Sequence, residues 1–151
     1  MADKRDIVFK VVRKDSRKSI VAGRKHYDDR VKEKFALTYE PNTLVKAPTG
    51  SLGVFCFQNF YHAEKWVRFC FQNFYHADTN NTLIIKVTPW GRELKIPDRI
   101  CTMRYTFDEI LDQYKHIKSG HIYKPRYTSL YVTLWTVPTG SVCYQGVRVL
   151  E

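Results

Sequence analysis

The sequence predicts an α+β fold: a mixed or mostly antiparallel twisted sheet with two main helices packed on it, a single domain over residues 1–151. Three observations predict it. At 151 residues, with 44% hydrophobic and 15% aromatic side chains, the chain can bury a core without disulfide staples. Strand-like apolar runs alternate with stretches at helical spacing, and turn residues separate them. Residues 55–63 also recur without a change as residues 69–77. The offset of fourteen is two heptads and nearly four helical turns, so the duplication lengthens one helix without rotating its buried stripe off the core.

The elements follow in order. Residues 7–12 (IVFKVV) read as a first strand, with Lys10 interrupting an apolar run. Residues 13–18 (RKDSRK) read as a polar turn and residues 19–22 as a short returning strand. Tyr27, Val31 and Phe35 recur every four residues, which predicts one or two helical turns on the core. Residues 35–39 and 44–47 are expected as short strands around Glu40-Pro41-Asn42. Pro48-Thr49-Gly50-Ser51 makes a turn into a buried strand that includes Phe55, Cys56 and Phe57.

Asn59 is the expected cap of the repeat helix, its side-chain oxygen accepting a free N–H of the first turn. Phe60, Ala63, Val67, Cys70, Phe74 and Ala77 form its apolar stripe. Identical Phe-Cys-Phe tripeptides are thus expected as strand at 55–57 and helix at 69–71. Residues 83–88 (LIIKVT) predict a central strand, apolar on both faces, before Pro89-Trp90-Gly91 turns the chain and residues 93–96 continue as an edge segment. Thr106 and Glu109 have capping-box spacing. The second main helix should begin there, with Phe107, Ile110, Leu111, Tyr114 and Ile117 inward. The C-terminal part reads as a hairpin, residues 129–137 and 142–150, joined by Pro138-Thr139-Gly140-Ser141.

The chain is strongly basic. The formal net charge is +10, which favours nucleic acid or an acidic protein surface through long-range attraction. Twelve of the 25 cations but six of the 15 acids fall in the first 34 residues, a net +6 there. Arg13, Lys14, Arg17 and Lys18 place four cations in one six-residue turn. Cations beside rings that can stack on a base extend the candidate set to Arg24, Lys25, Tyr27, Arg104, Tyr105, Arg126 and Tyr127.

Catalytic and metal motifs are not found. There is no G-x-S-x-G, H-E-x-x-H, phosphate loop or dinucleotide fingerprint, so an enzyme is the less favoured class and no cofactor is expected. Cys56, Cys70, Cys101 and Cys143 form no C-x-x-C pair and read as buried free thiols in a reducing compartment. His62 and His76, copies of each other, would lie about 21 Å apart on one helix, too far to share a metal. No run reaches the length of a membrane span and no signal-peptide core is present, which predicts an intracellular protein, possible locations including the cytoplasm of an infected host.

Residues 45–67 (VKAPTGSLGVFCFQNFYHAEKWV), the strand at 83–87 and residues 137–151 (VPTGSVCYQGVRVLE) resemble a pattern in small uncharacterised proteins of phages, archaeal viruses and mobile elements. The resemblance implies a structural pattern of strand, aromatic pair, helix and strand, and no activity. The second copy, residues 69–77, departs from it. The same succession is also similar to the beginning of the ADP-ribosyltransferase fold, which would imply an early Arg or His and a late catalytic Glu. Glu151, at the end of the chain, is badly placed for that role. The expectation is a non-enzymatic basic binding protein. Its alternatives are a nucleotide-binding or ADP-ribosyltransferase-like enzyme and an oligomer paired through the helix at 60–77.

Overall fold

The computed structural model describes residues 7–20, 29–74, 81–96, 99–101, 111, 115 and 134–150. In order these form β1 (Val8–Arg13), α1 (Asp29–Phe35), β2 (Leu44–Lys46), β3 (Val54–Phe57), α2 (Phe60–Phe74), β4 (Thr82–Glu93), β5 (Arg99–Cys101), β6 (Leu134–Thr136) and β7 (Ser141–Val149).

The α+β expectation, a twisted sheet carrying two main helices, is corrected. The strands form an antiparallel ring, β7-β3-β1-β4, closed by pairing of β4 with β7, with β2 added on β7. The architecture is mostly β. Closure depends on strands that pair along both edges. Val87 on β4 sits opposite Val8 on one side and Val149 on the other. Tyr144 on β7 likewise sits between Val54 and Glu93. The narrowest seam joins β1 to β3 through Phe9 and Phe57.

A four-stranded barrel has a narrow interior, because diameter grows with strand number. Short β-branched side chains suit it. Val8, Val12, Val54, Val87, Val142, Val147 and Val149 fill it with Cys56 and Ile85, and Tyr39 enters from the chain before β2. Lys10 follows the inward parity of Val8 and Val12. Its ammonium donates to the Phe55 carbonyl oxygen at 2.7 Å and lies 5.3 Å from the centre of the Tyr39 ring, so the cation that interrupts the first strand is partnered. Burial pushes the Tyr39 hydroxyl pKa up, opposed by the nearby Lys10 charge and by hydrogen bonds to Ser19 and Lys10.

A second cluster lies outside the ring. Val11, Ile20 and Phe57 pack with Ala63 and Val67 of α2, and Phe9, Trp66 and Ile84 border them. This explains the two-faced apolar pattern of residues 83–88: Leu83, Ile85 and Val87 line the barrel, while Ile84 lies under α2.

The repeat behaves as its flanking residues predict. Residues 55–57 are strand and residues 69–71 are helix. Asn59 caps α2, its Oδ1 accepting from the His62 N–H at 2.9 Å. Ala63 and Val67 of the expected stripe are buried, but Phe60 is 49% exposed and meets Phe9 edge-on. Ala77 lies outside the described residues.

One turn assignment and one hairpin are corrected. Pro89, Trp90 and Gly91 do not reverse the chain; they lie inside β4, which runs on to Glu93 through a register shift between Trp90 and Glu93. Pro89 follows the last β1–β4 pair at Val87, where its missing N–H interrupts no ladder with β1. Pro138-Thr139-Gly140-Ser141 does turn, with the Ser141 N–H donating to the Pro138 oxygen at 3.2 Å. The hairpin is not formed, because β7 pairs with β3 and β6 pairs with β5. The first Pro-Thr-Gly-Ser makes the same turn, Ser51 N–H to Pro48 oxygen at 3.1 Å, and Gly50 and Gly140 take φ of 89° and 82°, values that L residues resist. Of the expected strand at residues 19–22, Ser19 forms an isolated bridge to Val12 and residues 21–22 lie outside the described residues; Thr38 bridges Lys18. Leu111 and Lys115 are helical; the rest of the expected second main helix lies outside the described residues.

Candidate functional site

The basic turn at residues 13–18 forms as expected, but its cations have divided roles. The Arg13 N–H donates to the Lys18 oxygen at 2.9 Å, and the Lys14 and Asp15 N–H groups are held by Asn81 at the start of β4. Arg17 takes a φ of 56°, and its Nε donates to the Tyr39 carbonyl oxygen at 2.7 Å. That bond ties the turn to the chain that brings Tyr39 into the barrel, so Arg17 has a structural role. Arg13 is half-buried, and Lys14 and Lys18 are exposed beside exposed Asp15. Arg24, Lys25, Tyr27, Arg104, Tyr105, Arg126 and Tyr127 lie outside the described residues.

A second basic surface was not apparent from local sequence. On the outward face of β2, β7 and β4, Lys46, Gly146 and Trp90 stand in register across three neighbouring strands. Gly146 has no side chain to separate its neighbours, and a Cβ there would sit 3.0 Å from Trp90 Cε3 and 2.8 Å from the Val45 oxygen. The indole therefore lies across the glycine. Lys46 Nζ sits 4.6 Å from the centre of the ring, a cation–π contact. Two residues further along β7, Arg148 lies between Leu44 and Thr88.

The charge on these strands is uneven. Together β2, β4 and β7 carry Lys46, Lys86, Arg92 and Arg148 against one acid, Glu93. All four cations are exposed. Three of the five large apolar side chains exposed among the described residues border this face or lie on it: Ile7 before β1, Trp90, and Leu150 after β7. Leu150 is positioned by its N–H, which donates to the Lys86 oxygen at 3.0 Å.

The basic turn and this face are separate. The turn is tied to the Asn81 end of β4, and Trp90 lies eight residues beyond Thr82 along the same strand, about 27 Å at the usual strand rise.

Cys56 and Cys143 are free and buried. Burial raises the Cys56 thiol to about 11. Burial also raises Cys143, to about 12, with the neighbouring Cys56 adding to the shift. Cys143 donates its thiol to the Leu52 oxygen at 3.2 Å. Both thiols are poor nucleophiles in the folded state. Among the described residues no three His, Cys, Asp or Glu side chains gather as a metal site, and no described helix is long and apolar enough to cross a membrane.

Comparison with protein families, with curated proteins and with solved structures finds no match to this chain.

Proposed function

We propose that the chain is a non-enzymatic nucleic-acid-binding protein that holds phosphates on the outward face of β2, β7 and β4. The observation that carries this reading is that Lys46 and Arg148 flank a partly exposed indole on strands that carry four exposed cations against one acid. Cations of this kind bind phosphate largely through release of condensed counterions, a gain independent of base sequence. The net charge of +10 supplies the long-range attraction. Lys14 and Lys18, at the far end of β4, extend the footprint without forming part of the same patch.

The test is fluorescence anisotropy of labelled DNA and RNA, single-stranded and duplex, between about 50 and 200 mM salt. Affinity is expected to fall steeply with salt for every sequence. The triple variant Lys46→Gln, Arg92→Gln, Arg148→Gln should flatten the log–log slope by roughly 2 to 3, about one for each phosphate no longer neutralised. Absence of binding at the lowest salt contradicts the reading and turns attention to acidic protein partners.

A further inference from the structure

We infer that this face is built for single-stranded nucleic acid, with an unpaired base stacking on Trp90 and Lys46 and Arg148 taking the flanking phosphates; this rests on the nucleic-acid reading above. Phosphate attraction alone would need only cations. The face also presents a ring, and the fold has made room for it.

Gly146 is the residue that makes the room. Any side chain at that position on β7 would meet the indole and the backbone of β2 together. With hydrogen there, the indole lies over the strand and keeps 38% of the residue's surface open to solvent. A large aromatic surface left partly exposed on a sheet of alternating inward valines is a platform. Its present neighbour is an ammonium at 4.6 Å.

The pieces suit a nucleotide in size and sign. Outward residues on β4 recur every second position, so Lys86, Thr88 and Trp90 succeed one another at about 7 Å intervals. Arg148 is directly across from Thr88 and Lys46 is across Gly146 from Trp90. A base stacked on the ring therefore has a cation on each side within one strand repeat. The Lys46 ammonium exchanges the ring for a phosphate when the base arrives, so the free protein keeps the indole covered by a group that the ligand itself recruits. A duplex offers no such exchange, because its bases are already stacked on one another and their faces are closed.

The experiment compares labelled twelve-nucleotide thymidine and uridine strands with a duplex of equal length, for the wild type, Trp90→Ala and Trp90→Phe. Trp90→Ala should weaken single-strand binding by roughly 5- to 150-fold, the usual cost of losing one stacked base. Its salt slope should not change, since no charge is removed, and duplex affinity should stay within about twofold. Trp90→Phe should recover most of the loss, and its unchanged fold, checked by circular dichroism, guards against a general packing defect. Single-strand affinity unaltered by Trp90→Ala in a binding-competent protein overturns the stacking inference and leaves the phosphate reading standing. Equal weakening of single strand and duplex also overturns it. Failure of the wild type to bind any nucleic acid overturns both.

Discussion

Replacing Gly146 with alanine decides between two opposite signs. At an unstrained strand position, glycine to alanine ordinarily stabilises a protein by about 0.4–1 kcal/mol, because the unfolded chain has less freedom to lose. Gly146 does not take a positive φ, so this gain is available in principle. The packing opposes it. The new methyl would sit 2.8 Å from the Val45 oxygen, 3.0 Å from Trp90 Cε3 and 3.3 Å from the Lys46 Cα. Two of those atoms are backbone of β2, which cannot rotate aside as a side-chain tip can. Overpacking of this kind costs about 1–3 kcal/mol. Set against the entropic gain, the expected net is a loss of about 0–2.6 kcal/mol, or up to roughly 10 °C in Tm for a chain of this size. Thermal and urea unfolding followed by circular dichroism measure it. A raised Tm would refute the close approach of β2 and the indole over β7, and with it the geometry of the binding face.

Asn59→Ala should lower stability by about 1 kcal/mol through loss of the bond to the His62 N–H, and Asn59→Asp should restore most of it, both read by urea unfolding. Arg17→Ala should destabilise by about 1.5–3 kcal/mol, because its hydrogen bond to the Tyr39 oxygen is charge-assisted. Lys14→Ala and Lys18→Ala, at exposed positions, should stay within about 0.5 kcal/mol, so thermal unfolding of the three variants separates the structural cation from the solvated ones. The thiols give a pH dependence. Cys56 and Cys143 ionise near 9.0 when unfolded but near 11 and 12 when folded, so above pH 9 the unfolded state loses protons first and stability falls with rising pH. Cys56→Ala should shrink the decline in the urea midpoint between pH 9 and 11, and a decline of unchanged size would contradict the burial of that thiol.

Local signals in the sequence resolved local structure. The cap at Asn59 and the split fate of the two Phe-Cys-Phe copies follow from flanking residues, since a Pro-Thr-Gly-Ser turn precedes one copy and a helix already under way contains the other. Closure of the barrel was not legible, because it depends on β7 pairing with β3 and β2 along one edge and with β4 along the other. Periodicity reports which faces are apolar, and residues 83–88 are apolar on both faces under a covering helix and within a barrel wall alike. Pro89-Trp90-Gly91 has the composition of a reversal, yet it serves as an irregularity in a twelve-residue strand. The basic turn was visible because its four cations fall within six consecutive residues. The face around Trp90 was not, since Lys46, Trp90 and Arg148 come from three distant strands. A signal existed in Val147-Arg148-Val149, a cation between two apolar residues, which marks an outward position on a strand whose other face is buried.

The most direct test of the account is ultraviolet crosslinking of the full chain to a uridine strand, with the attachment site located by peptide mass spectrometry. Crosslinks are expected on β4 and β7, at Trp90 and the residues beside Arg148, competed away by unlabelled single strand. Crosslinks confined to the turn at residues 13–18, with none on β4 or β7, would contradict it and place the nucleic acid at the opposite end of the barrel.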